Sequence, residues 1–223
     1  MMKMKHSLGL SCLLFSITIL LSCSPTSSST QDQYHSLFNG KNLNGWVGNK
    51  QSYTVKNGMI AVDPRVGSSG GNLYTEREYS NFIFEFDFKL TPGANNGLGI
   101  HAPLDGDAAY VGKELQILDN TAEKYANLEQ YQYHGSVYGV IPAKRGYLKP
   151  VGEWNKQRVE VRDSKIKITL NGTIIVDGDY IEASQNGTID GKDHPGLQKR
   201  KGHIGFLGHG DVLYFKNIRI LEL

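Results

Sequence analysis

The stretch "NFIFEFDFKL", residues 81–90, alternates without a break. Phe82, Phe84, Phe86 and Phe88 share one parity; Ile83, Glu85, Asp87 and Lys89 share the other. A period of two fits an extended strand, whose successive side chains point to opposite faces. The phenylalanine face belongs to a core, and the charged face belongs to water. A second apolar layer must therefore close over the rings.

The rest of the domain supplies strands rather than helices. "YTVKNGMIAV" (53–62) is a hairpin, with Asn57-Gly58 providing the positive φ angles of a tight turn. "NGLGIHA" (96–102) is a strand with Leu98 and Ile100 inward and Gly97, Gly99 and His101 opposite. "GSVYGVI" (135–141) reads as another. "QRVEVRDSKIKITLNGTIIVDG" (157–178) holds three short strands, with turns at Asp163-Ser164 and Asn171-Gly172. Residues 120–133 carry no clean helical stripe. Residues 179–201 form the longest irregular piece, of a length that usually marks a functional or mobile loop. Many short strands with Gly- and Asn-rich turns predict an all-β, two-sheet antiparallel jelly-roll sandwich, in which a curved sheet can turn its outer face into a groove.

The N-terminus reads as an address. Lys3 and Lys5 precede an apolar run from Leu8 to Leu21, a basic region followed by a short hydrophobic one, as in secretory signals. Leu20-Leu21-Ser22-Cys23 resembles a bacterial lipobox, which implies lipidation of Cys23. The expected organisation is a lipoprotein signal peptide over 1–22, a Ser/Thr/Pro-rich flexible tether over 23–34 and one β-sandwich over 35–223. The domain would then be held to a membrane by its lipid alone, on the outer membrane and facing the periplasm. The only cysteines are Cys12 and Cys23, so the domain has no disulfide, catalytic thiol or Cys metal site. Subtracting Lys3 and Lys5 from the net charge of +2 leaves about zero. With no basic tract, nucleic acid is not an expected partner.

In "GKELQILDN" (112–120), Glu114 and Gln116 share one strand face, and Leu115 and Ile117 the other. If the central strands are neighbours, one sheet face displays Asn96, His101, Glu114, Gln116, Ser136 and Tyr138, with Asp119 at the strand end. That face has acid/base capacity and suits a carbohydrate groove. Glu114 and Asp119 invite a two-carboxylate glycosidase reading. However, Gln116 stands where the alternate-residue acid of a glucanase would be needed. His209 sits between glycines in "LGHGD", before the last strand, where backbone and ligand can approach closely. Arg145 lies in a turn-rich loop from which it can reach an oxyanion. Trp154 reads as a core anchor. The mixture of His and carboxylates would accept a divalent metal ion, but no ligand spacing demands one.

The chain resembles the 3-keto-disaccharide hydrolase family across about residues 35–223. The resemblance rests on an ordered series: "LFNGKNLNGW", "YTVKNGMIAV", "GGNLYTEREYSNFIFEFDFKL", "NNGLGIH", "GKELQILDN", "SVYG", "GEWN", "LNG" and "GHIGFLGHGDVLYFKNIRI". It implies a concanavalin A-like lectin/glucanase sandwich that cleaves glycosides oxidised to a ketone at C3. It also implies elimination chemistry, with hydration sometimes done by a separate protein. Two positions depart from the family's pattern. Lys113 stands where an aromatic is common, and Leu207-Gly208 stand where Gln and Asp are common. On this reading His209 or Glu114 removes the C2 proton, and Asp119 orients or helps to hold a cation. Asn96, His101, Gln116, Tyr138 and Arg145 bind the sugar or the enolate. The rival expectations are a conventional glycoside hydrolase and a non-catalytic carbohydrate-binding module.

Overall fold

In the computed structural model, which describes Met1 and residues 33–63 and 71–223, the strand Phe82–Leu90 lies inside the larger of two antiparallel sheets. In lateral order that sheet runs Thr173–Asp179, Lys165–Leu170, Trp154–Arg162, Phe82–Leu90, Leu213–Glu222, Met59–Val62 and Tyr53–Lys56. The short strand His35–Ser36 also pairs with Leu213–Glu222. The smaller sheet runs Trp46–Gly48, Gly71–Thr75, His203–Gly208, Asn95–Ala102 and Lys113–Leu118. The chain is thus an all-β jelly-roll sandwich of the concanavalin A-like type. Tyr34, placed by the sequence in the tether, is tied into the larger sheet by a 3.0 Å hydrogen bond to Glu85. The expected signal peptide, Met1 apart, and Cys23 fall outside the described residues.

The core lies between the sheets. Phe82, Phe84, Phe86 and Phe88 are each at most 1 % exposed and meet Leu98, Leu115, Ile117 and Phe206 in one apolar cluster. The rings of Phe206 and Phe215 stack across it with centroids 3.7 Å apart. Trp154, by contrast, is not a core anchor. It shares the outward parity of the larger sheet, opposite Lys89, and Lys216 sits 4.0 Å from its ring centroid. "GSVYGVI" is not a continuous strand either. Its Val137 makes isolated bridges to Leu115 and Ile141. The segment instead runs along the free edge of Lys113–Leu118, where Gln116 N donates to Ser136 O and Tyr138 N donates to Glu114 O. Bends at Gly135 and Gly139, with φ of +84° and +72°, shape this cover over the edge strand.

Two residues expected on the groove face lie inside, one by parity and one by a break in the alternation. Asn96 shares the parity of Leu98 and Ile100, so it faces the core, wholly buried beside Tyr53, and not the groove. His101 lies at a bulge. His203 pairs with Ala102 but Gly205 pairs with Gly99, so Asn95–Ala102 carries one extra residue there, and His101 adopts φ +47°. The bulge turns His101 inward, edge-on to Phe82 with ring centroids 5.9 Å apart. His101 Nε2 donates to Ser80 O at 2.7 Å, and its Nδ1 accepts from Lys113 Nζ at 3.1 Å. Lys113, 1 % exposed, also donates to Lys199 O at 2.6 Å and lies against the Tyr180 ring.

Among the described residues, no carboxylate pairs with either side chain to balance a charge. Burial, with a smaller push from Arg200 and Lys199, lowers Lys113 to about 7, and burial with the nearby Lys113 lowers His101 to about 4. Both pKa values lie below the ordinary 10.5 and 6.5 of the unfolded chain. In the windows between, the unfolded chain binds more protons, so stability rises with pH: from about 4 to 6.5 through His101, and from about 7 to 10.5 through Lys113. Lys113→Met removes the lysine's share. The variant should therefore melt above the wild type at acid and neutral pH, with the gap closing towards pH 10.5. A thermal melting series across pH checks this; a gap that does not change with pH contradicts it.

Candidate active site

The edge strand Lys113–Leu118 turns Leu115 and Ile117 into the core and Glu114, Gln116 and Leu118 outward, as its alternation requires. A cleft of about 290 Å³ opens over this outer face. Glu114 and Gln116 lie at its floor with Asn95 from the neighbouring strand. His209 enters from the turn after His203–Gly208, and Tyr138 from the edge-covering segment. Asp107, Ala109 and Tyr110 come from a short helix, Ala108–Val111, whose first turn is capped by Asp107 accepting from Ala109 N at 3.0 Å. Tyr125, Leu128 and Gln132 complete the lining.

At the centre, His209 Nε2 donates to Glu114 Oε1 at 3.1 Å. The carboxylate side chain is 6 % exposed and the imidazole 43 %, so the acid is sheltered and the base reaches into the cleft. The hydrogen bond to Glu114 raises the His209 pKa; burial opposes it, and the charges of Glu114, Asp107 and Asp211 reinforce it. Glu114 fits here because position 97 has no side chain. A Cβ built on Gly97, which pairs with Gln116 and lies diagonally across the ladder from Glu114, would collide with the Glu114 carboxylate. Beside the pair, Gln116 Nε2 donates to Asn95 Oδ1 at 3.2 Å, and Asn95 N donates to Asp211 Oδ2 at 3.0 Å.

Of the residues singled out from sequence, Glu114, Gln116, Tyr138 and His209 share the cleft. Five others lie elsewhere. Ser136 is wholly buried, its hydroxyl donating to Gln130 O at 3.3 Å and accepting from Ala143 N at 3.0 Å. Asp119 has the parity of Leu115 and Ile117 and turns away, into a separate recess with Leu90 and Leu148 to Val151. Its carboxylate is occupied by Gly93 N, Thr121 N and Thr121 Oγ1 at 2.6–2.9 Å. Burial opposes its charge, but those hydrogen bonds hold its pKa below the usual value. Asp119 is therefore a loop tie rather than a partner of His209. Asn96 and His101 are inside the sandwich for the reasons given above. Arg145 is exposed, with its guanidinium 3.7 Å from the Tyr133 ring centroid, and does not line the cleft.

Sequence reasoning missed Asn95, Asp107, Tyr110, Tyr125 and Gln132. Asn95 was legible, since it shares the parity of Gly97 and lies on the Gln116 side. The others come from irregular segments that carry no period. Glu114 and His209 are bonded to each other. Among the described residues, no set of three His, Cys, Asp or Glu is arranged to hold a metal ion. A larger recess of about 440 Å³ lies on the outer face of the other sheet. Both of its carboxylates are engaged: Glu85 by Arg219 and Tyr34, with Lys156 and Arg158 3.7 Å away, and Asp87 by Asn217 Nδ2 at 2.6 Å.

Fold and cleft together define a concanavalin A-like sandwich with a carboxylate–imidazole pair on the outer face of its smaller sheet. Residues 33–221 match the family model described as a 3-keto-alpha-glucoside-1,2-lyase-like domain, and the chain belongs to that family. It is 28 % identical to a "3-keto-disaccharide hydrolase" from Bacteroides thetaiotaomicron, over 86 % of this chain and 79 % of that protein. Among solved structures, it is similar to a candidate glycosyl hydrolase from Parabacteroides distasonis, with 30 % identity and a TM-score of 0.74, over 86 % of this chain and all of that one. A second such structure from the same organism has 25 % identity and a TM-score of 0.73, over 86 % and 95 %.

The hydrogen bond to Glu114 is the largest influence on His209. In Glu114→Gln the imidazole titration, followed by NMR, should therefore move down from its raised position. A midpoint that stays where it is would break the coupling described here.

Proposed function

We propose that the protein cleaves the glycosidic bond of 3-keto-glycosides by elimination. The observation that carries this is the Glu114–His209 pair in a polar, tyrosine-lined cleft. Family membership and the printed name of the Bacteroides relative support the same substrate class. A ketone at C3 acidifies the proton on C2. With Nε2 bonded to Glu114, His209 presents Nδ1 as the base, and the carboxylate stabilises the imidazolium that results. The C2–H electrons pass into the C2–C3 enolate. The enolate then expels the C1 oxygen, forming a C1=C2 double bond and restoring the ketone. The departing alkoxide takes back a proton, so the step is redox-neutral. Gln116, Asn95 and Tyr138 supply hydrogen-bonding groups for sugar hydroxyls and the enolate oxygen. Addition of water across C1=C2 would complete a net hydrolysis.

A second reading rests on Asp107, a further carboxylate in the same cleft, which with Glu114 would give an ordinary acid pair. Incubation with a 3-keto-glycoside and with its unoxidised parent separates the two. Elimination predicts cleavage of the ketone alone; equal cleavage of both, or of the parent alone, overturns it. Gly97→Ala, which pushes the Glu114 carboxylate aside, should lower kcat/KM by about 10²-fold through misplacement of the pair. Full activity in that variant counts against Glu114. The same reading takes 1–22 as a leader and Cys23 as the lipidated residue, which would hold the enzyme on the periplasmic side of the outer membrane. Release of Cys23→Ser into the soluble fraction supports this, and retention with the membrane contradicts it.

A further inference from the structure

Residues 179–201, the longest irregular piece of the sequence, lie behind one wall of the cleft. Two buried side chains anchor them: Asp190 and His194, 2 % and 1 % exposed. His194 Nε2 is 3.0 and 3.1 Å from the two Asp190 carboxylate oxygens, and its Nδ1 is 3.1 Å from the Ala109 carbonyl oxygen. Both ring nitrogens therefore face acceptors. Asp190 Oδ1 also accepts from Lys192 N at 3.1 Å, but a neutral imidazole carries one N–H and would turn a nitrogen lone pair towards one of these two acceptors, whereas an imidazolium donates to both. Burial opposes the Asp190 charge, but hydrogen bonds from His194, Lys192 N and Thr188 together hold its pKa below the usual value.

The same pair touches both segments that build the wall. On one side, the His194 ring packs against Tyr110 with centroids 4.8 Å apart, and Lys192 Nζ donates to the Tyr110 hydroxyl at 2.8 Å. On the other, Ile189 N and Asp190 N reach Gly139 O at 2.9 and 3.4 Å. Gly139, with φ +72°, lies so close that a Cβ there would be 2.6 Å from Asp190 Oδ2 and 2.7 Å from His194 Nε2. Gly139 follows Tyr138, and Ala109 precedes Tyr110; all but the glycine line the cleft.

We infer that Asp190 and His194 form a buried carboxylate–imidazolium pair that positions Tyr110 and Tyr138, and so sets substrate affinity without touching substrate. The inference rests on the cleft being the glycoside site. Neither residue is a catalytic residue, because Asp190 and His194 act through the Ala109 carbonyl and the Gly139 turn. Two measurements on the full-length chain test it. With ¹⁵N-labelled histidine, His194 should show the imidazolium pattern at neutral pH, both ring nitrogens protonated. This arm needs no substrate. In steady-state kinetics with a 3-keto-glycoside, Asp190→Asn and His194→Gln should raise KM severalfold while kcat holds. A neutral His194 ring in the wild type, or an unchanged KM in a folded Asp190→Asn, overturns the inference. A wild type without turnover overturns the functional reading instead, and the ring spectrum then still decides whether the charged pair exists.

Discussion

Everything in the cleft depends on which face of the smaller sheet is dry. The phenylalanines of Phe82–Leu90 decide that, because they must be covered, and Leu98, Leu115 and Ile117 are what covers them. Each such ring contributes about 1.5–3 kcal/mol when fully buried. A one-residue slip of Lys113–Leu118 would bring Glu114 and Gln116 inside and put Leu115 and Ile117 in water, losing several such contributions at once. The core therefore holds Glu114 at the surface of the strand. The missing side chain at Gly97 then leaves the space in which its carboxylate can lie and meet His209.

A hydrogen-bonded acid and imidazole do opposite things at the two ends of one contact. The carboxylate is nearly buried and orients the ring; the ring is exposed to the cleft and exchanges protons. The raised pKa of His209 follows from that contact before it follows from the wider field of Asp107 and Asp211. A stronger base suits removal of a proton made acidic by a neighbouring ketone. It does not call for the second acid that Gln116 fails to supply.

What could be read from the sequence was whatever obeys a period. The two-residue alternation gave the sandwich, the phenylalanine layer and the outward pair Glu114 and Gln116. His209 stood out because glycines flank it. The same rule, applied strictly, also puts Asn95 rather than Asn96 in the groove. His101 could not be read, since a single extra residue at a bulge reverses its side and no period announces it. Asp119 lies just past the end of its strand, where alternation no longer sets direction and loop amides claim the carboxylate. Lys113 stands where the family's pattern often has an aromatic. Its parity instead puts it on the inner face, where it ties His101 to the Lys199 carbonyl. Asp107, Tyr110, Tyr125 and Gln132 reach the cleft from helical turns and loops whose placement depends on tertiary contacts, such as those of Asp190 and His194 with Ala109 and Gly139.

The claim that bears the most weight is that the bond breaks by loss of the C2 proton to His209 rather than by attack at C1. Turnover of a 3-keto-glycoside in heavy water tests it directly, with the products read by NMR and mass spectrometry. Elimination predicts either an unsaturated product without a hydrogen at C2 or, after hydration, a 3-keto sugar carrying solvent deuterium there, formed faster than the uncatalysed exchange. A product that keeps its original C2 hydrogen through cleavage would contradict the account.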